Sequence, residues 1–225
     1  DEILSKIVKL SEYISNGKQP DKAVDIMDEA GALHYLSKSS DPLVTTGEVE
    51  SVIAKLARIS EQKVSENGGE SLRYLSDNLK KVIFGQDHAV DAVVNAIKLS
   101  KSGLADREKL IGSFLLAGPT GVGKTEMAKQ VAKQMGMEFI RFDMSEYSEE
   151  YSVSKLLGSA PGYVGYQDGG RLTEAVSRTP HAVLLLDEIE KAHPAIYNVL
   201  LQVMDYGMLT DSSGKTVDFR NILLL

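Results

Sequence analysis

A glycine-rich loop, residues 118–125, carries the clearest chemical signal in the sequence. It matches the pattern G-x-x-x-x-G-K-[ST] and consists of Gly118, Pro119, Thr120, Gly121, Val122, Gly123, Lys124 and Thr125. Glycines let a backbone curl until several N–H groups point at phosphate oxygens. In this pattern Lys124 reaches the β- and γ-phosphates and the Thr125 hydroxyl binds Mg²⁺. The alternative, a plain turn between a strand and a helix, is disfavoured because the pattern seldom arises by chance.

Two adjacent acids, Asp187 and Glu188, follow an apolar run that is typical of a buried strand. A nucleotide hydrolase of this kind needs an acid on a neighbouring strand to hold Mg²⁺, directly or through water. Asp187 suits that role, and Glu188 would lie beside the γ-phosphate and polarise the attacking water. A strand that ends in solvated acids is the alternative interpretation. The glycine-rich loop upstream favours the catalytic interpretation. The adjacent Asp-Glu pair favours ATP hydrolysis over phosphoryl transfer to a small acceptor.

The first third of the chain is predicted to be helical. Apolar residues recur at helical spacing from Ile3 to Ile14, Pro20 opens a second helix, and a third begins near Thr46, a plausible N-cap. A polar stretch with an Asn-Gly-Gly sequence, residues 60–71, is the best candidate for a linker. We therefore expect a small helical domain with its linker in residues 1–65 and a second domain in residues 66–225.

The second domain alternates helices with strands. Helices are predicted near 71–81, 86–103, 124–136 and 194–206, and strands near 113–117, 138–142, 182–186 and 221–225. The pattern indicates an α/β fold, a parallel sheet flanked by helices on both faces. His193 before Pro194 is expected to cap its helix. Since the sequence ends inside an apolar strand, we expect a truncated module.

Composition excludes several classes of protein. There is no cysteine, so disulfides and thiolate chemistry are excluded. The net charge of −7 disfavours nucleic acid as the main partner, which needs a clustered positive face. No apolar run approaches the roughly 20 residues that a membrane helix requires. Without a recognisable signal peptide, a cytoplasmic protein with no membrane partner is expected.

Several longer motifs make the chain resemble the second ATPase module of the Clp unfoldases, which are AAA+ proteins. Besides the glycine-rich loop, they are Phe84-Gly85-Gln86-Asp87, Phe142-Asp143-Met144-Ser145-Glu146-Tyr147, Gly162-Tyr163-Val164-Gly165, Leu186-Asp187-Glu188-Ile189-Glu190-Lys191-Ala192-His193-Pro194, Leu209-Thr210-Asp211 and Asp218-Phe219-Arg220-Asn221. Residues 20–30 resemble the small helical domain that closes the first module. The resemblance therefore covers nearly the whole chain.

The resemblance implies a homo-hexameric ATPase that threads unfolded or tagged proteins through a central pore. Gly162, Tyr163, Val164 and Gly165 match its substrate-gripping pore loop, although from spacing alone a turn with a packed tyrosine is the simpler interpretation. Phe84-Gly85-Gln86 resembles the family segment that lines the adenine pocket, so Val82 and Ile83 are expected to pack against the base. The alternative is that these two are ordinary core residues before a turn. The implied ligands are ATP and Mg²⁺.

The length of one connection favours the ClpA type, which feeds a ClpP-like serine peptidase. Only residues 31–45 separate the segment at 20–30 from the next helix, too few for the coiled coil that the disaggregases insert there. A ClpB- or ClpC-like disaggregase, or an assembly module gated by nucleotide without productive hydrolysis, remains an alternative. The family module continues with a sensor residue, an arginine finger and a small domain, so the isolated fragment is expected to be weakly active or inactive.

Overall fold

The computed structural model of the chain describes residues 2–11, 14, 18–37, 43–57, 68–102, 106, 108–119, 121–158 and 170–225. Two compact units are present, Asp1–Gly69 and Glu70–Leu225. The first unit has a hydrophobic core of its own, and the second has two. Each unit is described separately below.

In the described part of the first unit the chain forms three helices, as its apolar spacing predicts: α1 (Glu2–Leu10), α2 (Asp21–Leu36) and α3 (Thr46–Ala57). One apolar face of each helix forms the core, in which Ile7, Ile26 and Ile53 are almost completely buried. Burial of these faces stabilises helices that would be marginal in isolation.

The N-cap of α3 is Thr45, one residue before the predicted Thr46. The Thr45 hydroxyl accepts a hydrogen bond from the backbone N–H of Glu48 (3.3 Å), and the Glu48 carboxylate accepts one from the Thr45 N–H (2.7 Å). This reciprocal pair is a capping box, which satisfies two backbone donors at the start of the helix. The prediction was wrong by one residue because Glu48, the partner of the box, lies three positions after Thr45.

The second unit alternates helices and strands. Its elements are α4 (Gly68–Lys80), α5 (Asp87–Lys101), β1 (Gly112–Ser113), α6 (Lys124–Gln134), β2 (Glu138–Asp143), α7 (Glu150–Leu157), α8 (Arg171–Arg178), β3 (Ala182–Asp187), α9 (Pro194–Tyr206), β4 (Met208–Thr210), β5 (Thr216–Asp218) and β6 (Leu223–Leu224). Short 3₁₀ turns follow β2 and β3, at Met144–Tyr147 and Ile189–Lys191.

A parallel four-stranded sheet forms the centre of the second unit, in the order β1-β6-β3-β2. Successive residues of β3 point to opposite faces: Leu184 and Leu186 join one core with α7, α8 and α9, whereas Val183 and Leu185 join the other with α4, α5 and α6. The sheet is therefore covered by helices on both faces, which confirms the predicted α/β fold.

Several element bounds differ from those predicted. β1 ends at Ser113 rather than 117, because its neighbour β6 lies at the last residues of the chain and residues 115–117 run past it. α4 begins at Gly68, inside the predicted linker. The short helices α7 and α8 and the hairpin β4–β5 were not predicted, since eight- and three-residue elements show little periodicity.

Candidate functional site

The glycine-rich loop connects β1 to α6 at the carboxyl edge of the sheet. Gly121 and Gly123 have φ angles of +86° and +94°, in the left-handed region that glycine adopts without strain. A Cβ at either position would meet no atom within 4 Å, so backbone conformation rather than space requires glycine there. α6 begins directly after Gly123, which places its positive N-terminal end at the loop.

Lys124 lies across this loop. Its Nζ donates hydrogen bonds to the carbonyl oxygens of Gly118 (2.7 Å) and Pro119 (2.9 Å). On the other side, Nε2 of Gln86 donates to the carbonyl of Val122 (3.3 Å), which ties the start of α5 to the loop. Thr120, the remaining member of the predicted phosphate site, lies outside the described residues.

Asp187 and Thr125 meet at the mouth of the loop. The Thr125 hydroxyl lies 3.4 Å from Oδ2 of Asp187, although the two residues come from α6 and the end of β3. Nη2 of Arg141, on the neighbouring strand β2, lies 2.8 Å from the same carboxylate oxygen. A hydroxyl beside a carboxylate is an oxygen donor set of the kind that Mg²⁺ prefers.

Glu188 has a left-handed backbone, with φ 56° and ψ 46°. It is the one non-glycine residue with positive φ in the described part of the chain, and this conformation costs roughly 1–2 kcal/mol. Its Oε2 lies 2.5 Å from Nζ of Lys191, and this hydrogen bond raises the pKa of Lys191 above its usual value. Strained residues of this kind concentrate at functional sites.

The segment after Glu188 is fixed by neighbouring elements. The Tyr197 hydroxyl of α9 donates to the carbonyl of Ile189 (2.8 Å), and the backbone N–H of His193 donates to the carbonyl of Tyr147 (2.9 Å). Nδ1 of His193 accepts a hydrogen bond from the Ala195 N–H at the start of α9, so the predicted capping role is confirmed.

A cleft of about 1160 Å³ opens between the loop and the ends of the strands. Its polar lining includes the glycine-rich loop with Lys124 and Thr125, the acids Asp187 and Glu188, and also Ser113, Glu126 and Glu190. Its apolar wall includes Leu185, Ile189, Tyr197 and Met204. The size, the glycine cradle and the oxygen donors together fit a nucleoside triphosphate with a magnesium ion.

The two residues assigned to the adenine lie outside this lining. Val82 is 43% exposed, and Ile83 is buried in the core that also contains Met127 of α6. The predicted pore loop, Gly162 to Gly165, falls outside the described residues, between the end of α7 and the start of α8. Within the described ranges, no group of three or more His, Asp or Glu side chains is arranged to hold a metal ion, and no helix is long and apolar enough to cross a membrane.

Sequence reasoning missed two cations of the site, Arg141 and Lys191. Both have a signal that can be read in retrospect. Arg141 and Asp143 lie on the same face of β2, because they are two residues apart. Asp143 pairs with Asp187 at the end of β3, so Arg141 lies diagonally beside Asp187. Lys191 follows Glu188 by three residues, which is ion-pair spacing in a helical turn.

Comparison with known proteins places the chain in a family. The profile of the AAA domain (Cdc48 subfamily) matches residues 109–225, more than half of the chain, and that of the AAA lid domain matches residues 1–80. A ClpA homolog from Fuscovulum blasticum is 53% identical over 227 residues, which covers the whole chain and 29% of the homolog. The chain belongs to the Clp family of AAA+ proteins. Clp proteins are ATP-binding AAA+ ATPases that act as chaperones.

Other Clp relatives are nearly as similar. The chaperone ClpB of Enterococcus faecalis is 51% identical over 185 residues, covering 81% of the chain and 21% of ClpB. A cryo-EM structure of Hsp104 in its closed state, with ATPγS and FITC casein, matches 99% of the chain and 39% of the Hsp104 chain, with a TM-score of 0.80 and 40% identity. The chain thus spans less than a third of the length of the ClpA and ClpB relatives.

Proposed function

We propose that the second unit is the ATP-hydrolysing part of a protein unfoldase and translocase. The observation that carries the proposal is the 3.4 Å approach of the Thr125 hydroxyl to Oδ2 of Asp187 beside the glycine-rich loop. Two oxygen ligands from separate elements meet where a phosphate-bound cation would sit. If the loop were a plain turn that binds no ligand, nothing would require these two side chains to meet beside it.

In this proposal each side chain has a distinct task. Backbone N–H groups of residues 121–123 and the ammonium of Lys124 bind the phosphates. Thr125 and Asp187 hold Mg²⁺, which neutralises phosphate charge. Glu188 orients the attacking water and accepts its proton. Val82 and Ile83 are assigned to the base from the family resemblance; the hydrogen bond from Gln86 to the Val122 carbonyl keeps their segment near the loop, although neither residue lines the cleft.

Mechanical work is assigned to the segment Gly162-Tyr163-Val164-Gly165. An aromatic side chain between glycines grips an extended polypeptide by apolar contact, without regard to its sequence. The Hsp104 structure that contains FITC casein supports a polypeptide substrate for the family fold. We propose unfolded or tagged proteins as substrates and a homo-hexamer as the working assembly.

We further propose that the output is delivered to a ClpP-like serine peptidase in the cytoplasm. The ClpA homolog aligns along the whole chain at 53% identity, whereas the chloroplast ClpC of Pisum sativum aligns along it at 44% and the ClpB of Enterococcus faecalis aligns along 81% of it. The short connection at residues 31–45 also leaves no room for a long coiled coil. The second candidate is a ClpB- or ClpC-like disaggregase without a peptidase, which the 51% identity to ClpB supports.

The test uses a full-length Clp protein that carries this segment, with ATP hydrolysis and unfolding of a tagged fluorescent protein followed together. Glu188→Gln should abolish hydrolysis and unfolding while nucleotide still binds. Tyr163→Ala should leave hydrolysis intact and abolish unfolding. Unfolding that survives Glu188→Gln would instead support an assembly module gated by nucleotide. Degradation that depends on added peptidase separates the ClpA-like from the disaggregase function.

The 225-residue chain alone is proposed to bind ATP weakly and to hydrolyse it slowly. An arginine finger supplied by another part of such an assembly is worth roughly 10³–10⁵ in rate. Steady-state phosphate release by the purified chain, compared with a full-length Clp protein, measures this difference. A turnover equal to that of the full-length protein would show that the segment is self-sufficient.

A further inference from the structure

Arg141 occupies a defined place beside Asp187. In the register between β2 and β3, Arg141 lies opposite Leu185 and Asp143 lies opposite Asp187. Arg141 and Asp187 are therefore diagonal neighbours on one face of the sheet, and their side chains meet with Nη2 2.8 Å from Oδ2. The Asp187 side chain is 19% exposed and that of Arg141 is 47% exposed.

The oxygen that Arg141 contacts is the one that also faces Thr125. Oδ2 of Asp187 thus lies near both the guanidinium and the Thr125 hydroxyl. A guanidinium keeps its positive charge at every physiological pH. It stabilises the carboxylate when no metal is bound, and it repels a divalent cation that approaches the same oxygen.

We propose that Arg141 is a positioning residue that serves as the counter-ion of Asp187 and competes with Mg²⁺ for it. The competition makes the acid a poor ligand for the free cation and restricts firm binding to Mg²⁺ that arrives with phosphates. Asp143, two residues along the same face of β2, offers Arg141 a second carboxylate when the first is taken. The inference rests on the proposed role of Asp187.

The test compares Arg141→Met with Arg171→Met in the purified chain. Arg171 lines the cleft of about 390 Å³ that Arg141 also lines, so its replacement removes the same charge at the same edge. A fluorescent, non-hydrolysable ATP analogue reports binding as MgCl₂ is titrated. Arg141→Met should lower the Mg²⁺ concentration for half-maximal binding about fivefold. Arg171→Met should leave this concentration within about twofold of the parent value.

Thermal unfolding gives a readout that does not depend on activity. Arg141→Met should lower the melting temperature in EDTA, where Asp187 loses its counter-ion, and the difference should vanish with Mg²⁺ and the analogue. Arg141→Lys keeps the positive charge and should need as much Mg²⁺ as the parent. If Arg141→Met does not fold, Arg141→Lys becomes the decisive variant. An unchanged or higher Mg²⁺ requirement in folded Arg141→Met, or a much lower one in Arg141→Lys, would overturn the proposal.

Asp187→Asn separates this inference from the proposed function. If Asp187→Asn leaves the Mg²⁺ requirement unchanged, Asp187 is not a magnesium ligand, and the proposed function fails together with the inference. If Asp187→Asn raises the requirement while Arg141→Met has no effect, the inference alone fails. If both have their expected effects, Arg141→Met should have no further effect in the Asp187→Asn background, because the two changes then remove one interaction.

Discussion

The Thr173 hydroxyl donates a hydrogen bond to Oδ2 of Asp211 across 3.1 Å, and both side chains are buried. The bond joins α8 to the turn between β4 and β5. The other oxygen of Asp211 accepts hydrogen bonds from the backbone N–H groups of Ser213 and Lys215 (2.9 and 3.0 Å). Asp211 therefore organises the turn of the hairpin and fixes it to the helix.

This arrangement predicts a stability that depends on pH. Burial alone would raise the pKa of Asp211, but the hydrogen bonds from Ser213, Lys215 and Thr173 outweigh it and lower the pKa below its usual value. A lowered pKa in the folded state means that the contribution is complete above about pH 4 and is lost as the pH falls further. Asp211→Asn should destabilise the second unit by about 1–3 kcal/mol at pH 7.

Urea denaturation at pH 7 and at pH 3 checks this prediction. The difference in the free energy of unfolding between the parent and Asp211→Asn should be smaller at pH 3 than at pH 7, because the stabilisation by the ionised carboxylate is lost as the pH falls towards its lowered pKa. Asp205→Asn, at an exposed position of α9, is the matched control and should have little effect at either pH. A gap that is independent of pH would rule out the ionised carboxylate as the cause.

Gly207 predicts a severe effect of adding one methyl group. It ends α9 with a φ of +62°, and a Cβ would lie 2.4 Å from the carbonyl oxygen of Glu108 and 2.6 Å from Cγ of Arg220. Gly214 also has positive φ (+86°) but open space around it. Gly214→Ala should cost about 1–2 kcal/mol from backbone strain alone. Gly207→Ala should cost clearly more in the same urea denaturation, and equal losses would show that the close contact relaxes freely.

Shortening a buried side chain at the centre of the sheet is expected to leave a cavity and to lower the free energy of unfolding strongly. Leu184 is 1% exposed in the middle of β3, whereas Leu115, after β1, is 78% exposed. Leu184→Ala should lower the free energy of unfolding by about 2–5 kcal/mol through lost burial and the cavity that remains. Leu115→Ala should change it by no more than about 0.5 kcal/mol. Thermal denaturation of both variants measures the contrast, and comparable losses would contradict the assigned burial.

The capping box of α3 predicts a smaller effect in the first unit. Thr45→Ala removes the hydroxyl that accepts from the Glu48 N–H and should cost about 1 kcal/mol. Thr46→Ala is the control: Thr46 is the first residue of the helix rather than its N-cap, so the substitution should lower the free energy of unfolding less. Amide hydrogen exchange in the first turn of α3 should quicken in Thr45→Ala. Faster exchange in Thr46→Ala instead would place the cap at Thr46 after all.

The strand β3 shows why part of the fold was predictable from sequence. Its unbroken apolar run has one physical explanation, burial on both faces, and that explanation fixes a parallel sheet between two helical layers. The hairpin β4–β5 was missed although Asp211 and Gly214 are turn residues, because three-residue strands carry no readable alternation. The turn residues were recognisable in the sequence, but the two strands that the turn connects were too short to recognise.

The candidate site divides in the same way. The glycine-rich loop and the Asp187–Glu188 pair are contiguous in sequence, so their types and spacing predict their chemistry. The contact of Arg141 with Asp187 depends on the register of two strands about forty residues apart, which no local pattern encodes. Likewise, the choice of Thr45 over Thr46 depends on which hydroxyl reaches the Glu48 N–H. Tertiary geometry decides such pairs, and sequence narrows them only to candidates.

The two hydrogen bonds from Lys124 to the carbonyls of Gly118 and Pro119 have a thermodynamic consequence. When an anion binds the ammonium group of Lys124, the hydrogen bonds to the two carbonyl oxygens are lost and hydrogen bonds to the anion replace them. Only the difference in free energy between the new and the lost hydrogen bonds contributes to the affinity for the anion. Calorimetry should therefore find a modest enthalpy for phosphate binding.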